Sequence, residues 1–199
     1  MLNSIFGTNN HMSIQSILNQ LPQYAYDIDK SIREIFFQDL QTLEKYQIFG
    51  IVLTAGYALK HECLLNYIRP EAKRYLDNNE ANACKIAVST ISMTSMYHNF
   101  TQNIDDEKIK KMSSNLSLSN LTSHNIDEKD FSMYCLVASI INGCNYCMNV
   151  HIGKLRKHNC SSEIIRDIGR IVSVIKAAGD VLEIERMRSY DFVVREESF

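Results

Sequence analysis

Apolar residues recur along this chain at helical spacing. Ile14, Ile17 and Leu18 mark a short amphipathic segment over 13–19 that Leu21-Pro22 interrupts, and Ile28, Ile32, Ile35 and Phe36 repeat the spacing over 24–37. From Leu43 to Ala58 the stripe widens to the whole circumference. No charge falls between Lys45 and Lys60, the mark of a helix buried on every side. A further helical segment over 62–76 runs into Asp77-Asn78-Asn79, a turn cluster, and an apolar stretch with scattered Ser and Thr spans Ala81 to Phe100. Residues 105–130 are polar, charged at first and then rich in Ser and Asn, which predicts a solvated connector with one helical turn at 106–112. Phe131 to Ile141 again predicts a buried helix. A last helix, capped by Ser161 or Ser162 with Glu163 in its first turn, turns Ile164, Ile165, Ile168, Ile171, Val172 and Ile175 inward and continues towards Leu182. The charged tail after Arg186 is expected to fray.

Two stretches, 47–100 and 131–182, share one plan: an uncharged helix, a turn, a second helix, an Asn- or Ser-rich turn, a third apolar helix. Their residue identity is slight, so the repeat lies in the pattern. The fold expected is all-α with an internal helical repeat, a single domain over 1–199 with its core at about 13–187. The first copy carries His61-Glu62-Cys63 near the turn where the second carries a C-x2-C.

Composition narrows the class. The chain has 199 residues, 45% hydrophobic and 22% charged, with only two prolines and seven glycines, ordinary for a helical globular domain. A net charge of −2 gives no electrostatic case for a nucleic-acid or anionic-membrane partner. Phe131 to Gly153 is uncharged, but Asn142, Asn145, Asn149 and His151 interrupt it and Gly143 splits it, so it falls short of the ~20 predominantly apolar residues a span needs. Met1 to Met12 has neither a basic nor an apolar leader region, and a cytoplasmic location is the expectation. There, Cys63, Cys84 and Cys135 in apolar surroundings read as reduced packing residues, and Cys160, after His158-Asn159, as an exposed residue of an interhelical turn.

The candidate chemistry lies in 142–151, where Cys144, Cys147 and His151 form C-x2-C-x3-H. On a helix each residue turns about 100°, so Cys147 sits roughly 60° and His151 roughly 20° from Cys144 and all three share a face. Residues three apart lie about 5–6 Å from each other, which suits a disulfide. Asn142-Gly143 provides a turn and helix start, and the N-terminal amides favour a thiolate. Three readings compete: structural packing, a zinc site, and a redox dithiol with a base beside it. Zinc needs a fourth ligand, for which Cys135, His158 or Cys160 could be proposed, though none completes a recognisable zinc pattern. The turn, the shared face and the adjacent base together favour the dithiol.

Phe131, Val137-Ala138-Ser139, Ile141-Asn142-Gly143-Cys144, Cys147 and Val150-His151 resemble the AhpD-type alkylhydroperoxidase family, within the carboxymuconolactone decarboxylase-like superfamily. The likeness extends through Ser13-Ile14, Leu21-Pro22, Tyr24-Ala25 to Asp27-Ile28, Ala81 to Phe100 and Ser161 to Leu182. It implies an AhpD-like all-helical fold with an internal repeat, assembled as a homo-oligomer, a trimer or a multiple of one. By position it implies that Cys147 is the peroxidatic thiolate, that Cys144 is the resolving thiol and the point of attack by the reductant, and that His151 relays the proton. It further implies hydroperoxide reduction with no bound cofactor or metal, an external dithiol reductant such as a lipoyl group on a partner protein, and service to a peroxiredoxin.

Two positions depart from the family. Its relay glutamate, twelve residues before the first cysteine, is Ser132 here, and Tyr146 stands where the best-known members carry a histidine. Serine carries no charge to polarise an imidazole, Tyr is a weak proton donor with a pKa near 10, and Asp130 lies about 200° round the helix from Ser132. Both departures point to lowered or altered peroxidase activity. The alternatives are therefore a thiol–disulfide reductase or adaptor, or a non-catalytic redox sensor.

Overall fold

The computed structural model describes residues 13–38, 40–119 and 123–196, with side chains as far as Met187; Met1 to Met12, where a leader region was looked for, lies outside them. Among the described residues nine α-helices and one 3-10 turn follow one another, with no strand. They are α1 (Ile14–Leu18), the 3-10 turn (Gln23–Ala25), α2 (Tyr26–Phe37), α3 (Lys45–Leu59), α4 (Glu62–Ala72), α5 (Asn78–Gln102), α6 (Glu107–Lys111), α7 (Glu128–Ile141), α8 (Asn145–Lys157) and α9 (Ser162–Glu196). The expected helices are all present; the described part of the polar connector contains the short helix α6, and α7 begins near its end at Glu128. Local chemistry starts several of them. Ser13 and Asp77 each close a capping box, and Asp106 and Asp127 accept from backbone amides of the first turn.

The two helices that carry the long apolar runs form the centre. Gln47 to Gly56 of α3 and Asp130 to Ser139 of α7 are continuously buried. At their starts the carboxylate of Asp130 accepts from Gln47 Nε2 at 2.6 Å and from the Tyr46 hydroxyl at 3.2 Å. One turn on in both helices, the Tyr134 ring lies directly over Gly50, where a Cβ atom would overlap it. The contacts advance together, 46/47 with 130 and then 50 with 134, so the two helices run parallel here. Burial pushes Tyr46 up to about 12, with the Asp130 charge adding to it.

The ends of these two helices also match. After α3, Lys60 takes a left-handed conformation (φ 55°) and His61 caps α4, its Nδ1 accepting the Leu64 amide at 3.1 Å. After α7, Gly143 is left-handed (φ 62°) and Cys144 caps α8, its sulfur accepting the Cys147 amide at 3.2 Å. A left-handed residue followed by an N-cap is thus built twice, and the repeat seen as a pattern is also one of geometry. α5 packs on α3, α7 and α8, while α9 lies across α3 and α7 and touches α2 and α4.

Three expectations are corrected. Cys160 is buried, not exposed: left-handed Asn159 (φ 58°) turns the chain, the Cys160 amide bonds back to Leu155, and the side chain joins the core. Cys63 is only half-buried at the first turn of α4, whereas Cys84 and Cys135 are core residues whose thiols burial pushes up to about 12. The tail does not fray after Arg186, because α9 continues to Glu196.

The close approach at Gly50 gives a direct test. Gly50→Ala places a methyl inside the Tyr134 ring, and overpacking of this kind costs about 1–3 kcal/mol or more, read as a clear drop in melting temperature. Tyr134→Phe removes a buried hydroxyl that has no hydrogen-bond partner among the described residues and should leave stability unchanged or raise it.

Candidate active site

The turn between α7 and α8 builds the site. α7 ends at Ile141, Asn142 caps it, and Gly143 turns the chain with a positive φ that an L side chain adopts only at a cost. Cys144 therefore stands just outside α8 as its N-cap, where a helix running through both cysteines was expected. Cys147 is the third residue of α8, and His151 follows one turn later. The Cα atoms of Cys144 and Cys147 are 5.3 Å apart and their sulfurs are joined in a disulfide. Its geometry comes from a cap and a first turn, because the N-cap position folds its side chain back over the helix start.

Each sulfur has its own hydrogen-bond donor. Cys144 Sγ accepts the Cys147 amide, and Cys147 Sγ accepts from the Ser95 hydroxyl of α5 at 3.5 Å. Both cysteines are buried, at 1% and 4% exposure. One turn beyond Ser95 on α5, His98 lies against the Tyr146 ring with centroids 4.2 Å apart. Together with Thr101, Gln102 and Lys110 these two rings line an open groove of about 380 Å³ beside the cysteine turn. Tyr146 is half-exposed there, and partial burial lowers His98 from its ordinary value.

His151 is buried and, among the described residues, its Nδ1 has no hydrogen-bond partner. Burial lowers it to about 4, and the Lys154 cation on the next turn adds to the shift. It is thus a neutral imidazole at physiological pH. Ser132 is buried on α7, and no hydrogen bond among the described residues joins it to His151. Asp130, the nearest acid on that helix, is taken up by Tyr46 and Gln47 on α3. Among the described residues no group of three or more His, Cys, Asp and Glu side chains could hold a metal, and His158 and Cys160 stay apart from the cysteine pair.

Comparison with known proteins accords with this geometry. The family model described as "Carboxymuconolactone decarboxylase family" matches residues 111–182, from the end of α6 into α9. An alkyl hydroperoxide reductase AhpD of Coxiella burnetii (strain RSA 493 / Nine Mile phase I) is 31% identical over 173 residues, covering 86% of this chain and 98% of the relative. The chain belongs to the AhpD-type family. AhpD proteins of Hyphomonas neptunium and Acidobacterium capsulatum are 30% and 27% identical, each over 96% of its own length. Of the residues singled out in the sequence, the turn of this AhpD-type chain brings Cys144, Cys147, Tyr146 and His151 onto one cap and helix and leaves Ser132 on α7, while Ser95 and His98 of α5, which meet Cys147 and Tyr146, were not singled out. Ser95 is one of six Ser and Thr residues on α5, and nothing in the sequence sets it apart from Ser89, Thr90, Ser92, Thr94 or Thr101.

The buried imidazole makes stability depend on pH. Its folded value lies below the unfolded one, so the unfolded chain binds the extra proton first as pH falls. Its contribution is complete above about pH 6.5 and is lost towards about pH 4, on the order of 3 kcal/mol across that window. His151→Gln should remove that component, seen as a flatter dependence of denaturation midpoint on pH between 7 and 4 than in the wild type.

Proposed function

We propose that this protein reduces organic hydroperoxides through Cys144 and Cys147, and the observation that carries the reading is the disulfide bridging a helix N-cap and its first turn, one turn before His151. The names of its AhpD-type relatives, alkyl hydroperoxide reductases, support the substrate class. In the reduced protein the Cys147 thiolate attacks the terminal peroxide oxygen. The O–O bond breaks, Cys147 becomes a sulfenic acid, and the alkoxide leaves with a proton as the alcohol. The Cys144 thiol then attacks the sulfenic sulfur, water departs, and the disulfide forms. An external dithiol closes the cycle by attacking Cys144, passing through a mixed disulfide, and leaving both cysteines as thiols while it becomes a disulfide itself.

Burial of both sulfurs favours slender reactants. A hydroperoxide end or a lipoyl arm carried on a partner protein can enter where a broad protein face cannot, and the groove lined by His98 and Tyr146 supports such an arm. We place the reaction in the cytoplasm, in service of a peroxiredoxin, with Cys63, Cys84, Cys135 and Cys160 remaining thiols. No helix among the described residues is long and apolar enough to cross a membrane. Assembly as a trimer or a multiple of one is supported by Met93, Met96 and Phe100, exposed along one side of α5 at helical spacing.

A second reading, a thiol–disulfide reductase or adaptor with weak peroxidase activity, is favoured by the low basicity of His151 and the absence of a carboxylate at Ser132. Dihydrolipoamide-dependent consumption of cumene hydroperoxide separates the two. Turnover supports the peroxidase, while disulfide exchange without peroxide loss supports the adaptor.

Within the peroxidase reading, Cys147→Ser should abolish peroxide consumption. Cys144→Ser should allow one stoichiometric turnover to a sulfenic acid, and the opposite result would reverse the two roles. Ser132→Glu should supply a carboxylate on the helix packed against α8, raise the basicity of His151 and increase the peroxidase rate. A complete acid–base relay is worth about 10²–10⁴-fold, and one restored member should recover part of that. Burying the carboxylate should lower the melting temperature. A well-folded Ser132→Glu with unchanged rate and pH profile would remove the relay from the scheme.

A further inference from the structure

α5 carries the hydroxyls of Ser89, Thr94 and Thr101 in the way helices usually do. Each donates back to a carbonyl of its own helix: Ser89 to Ile86, Thr94 to Thr90 and Ile91, and Thr101 to His98, at 3.1–3.3 Å. Ser95 breaks this habit. Its hydroxyl, 2% exposed, reaches across to α8 and donates to Cys147 Sγ at 3.5 Å. A disulfide sulfur is a weak acceptor, but a thiolate at the same place is a strong one. The donor is thus in position before the charge appears, in a site from which water is largely excluded.

We propose that Ser95 is a further catalytic residue, whose hydroxyl donates a hydrogen bond to the Cys147 thiolate in the reduced protein and steadies that sulfur both as nucleophile and as leaving group. The proposal rests on the peroxidase reading for the first role. As nucleophile, Cys147 attacks the peroxide while the hydrogen bond holds its charge. As leaving group, Cys147 receives the S–S electron pair when a reductant thiolate bonds to Cys144, and the same hydroxyl accommodates the charge. Other stabilisation is limited. His151 is too weakly basic to hold the proton at neutral pH, and the Cys147 amide points at Cys144.

The test uses Ser95→Ala, Ser95→Gly and Ser95→Thr, each with Cys144→Ser so that Cys147 is the lone thiol of the site. Peptide-resolved alkylation by iodoacetamide from pH 5 to 10 gives the ionisation midpoint of Cys147. Stopped-flow measurement of sulfenic acid formation with cumene hydroperoxide gives the rate. His151, Tyr146 and His98 are kept in every variant, so the comparison isolates the hydroxyl. Loss of one hydrogen bond to the charged form should raise the midpoint by about one unit. Below both midpoints, a tenfold loss of thiolate is partly offset by greater nucleophilicity of the more basic sulfur, with a Brønsted slope of about 0.4–0.5, so the rate there should fall about 3-fold.

Above the midpoints the order should invert, with Ser95→Ala and Ser95→Gly about 3-fold faster than the Ser95 protein. A loss of packing alone produces no such crossing. Ser95→Thr keeps the hydroxyl and should follow the Ser95 protein. An unchanged midpoint in whichever of Ser95→Ala and Ser95→Gly folds overturns the proposal, as does Ser95→Thr behaving like Ser95→Ala. Absence of sulfenic acid in the Ser95 protein would instead overturn the peroxidase reading, and the alkylation midpoints would still decide whether Ser95 holds the thiolate.

Discussion

α3 and α7 are buried on every side over ten residues each, so a polar group they carry is costly unless it finds a partner inside the protein. Some are satisfied within their own helix and others across the pair. Thr54 and Ser139 bond to carbonyls of their own helices at 2.7 Å, and Asp130 is closed by Tyr46 and Gln47. The helices come into close contact where Gly50 receives the Tyr134 ring. There a carbonyl of α3 is also approached by Thr54 and by the Cys84 thiol. This pair fixes the direction in which α7 ends, and with it the place of the turn that carries the cysteines.

The same burial that makes the core makes the chemistry. Because α8 begins in a turn of the repeat, its first sulfur arrives as a cap and its second in the first turn, and the two are within bonding reach. The equivalent turn in the first half is built with Lys60 and His61, which shows that the backbone needs a left-handed residue and a capping acceptor there, but not sulfur. His61 is spent on structure, its Nδ1 accepting the Leu64 amide and its Nε2 donating to the Gly179 carbonyl at 2.9 Å. Cys144 does the same capping work with an atom that can also be oxidised. The redox pair is a capping device given reactive atoms.

Much of this was legible in the residues. Unbroken apolar runs identified α3 and α7 because burial on every side leaves little room for unpaired charge, and the spacing of the cysteines revealed their pairing because an N-cap lies as close to the third helical residue as two residues three apart within a helix. Cys160 was misread because its polar neighbours His158 and Asn159 suggested exposure. A left-handed Asn159 turns the next side chain into the core, and composition says little about which way a turn points. Ser95 and His98 were illegible for a different reason. They reach the site from a helix some fifty residues away in the chain, and no periodicity encodes which of several hydroxyls on an apolar helix will meet a sulfur.

The absence of a carboxylate at Ser132 changes the electrostatic logic of the site. A buried glutamate would hold His151 as an imidazolium and leave a charged pair in the core, at a desolvation cost only good geometry repays. With serine there, the imidazole is neutral and, among the described residues, its Nδ1 has no hydrogen-bond partner. In such a setting dipoles matter more than ions, because a fixed hydroxyl or amide in a low-dielectric pocket stabilises a thiolate without itself requiring a counter-charge. The two donors the structure provides, the Cys147 amide to Cys144 and the Ser95 hydroxyl to Cys147, are of that kind. They also act on different sulfurs, so the thiolate can shift from one to the other as the cycle turns without either being stranded. A site arranged this way depends less on proton transfer through a histidine than on where hydrogen-bond donors are held, and α5 is the element that holds the one on Cys147.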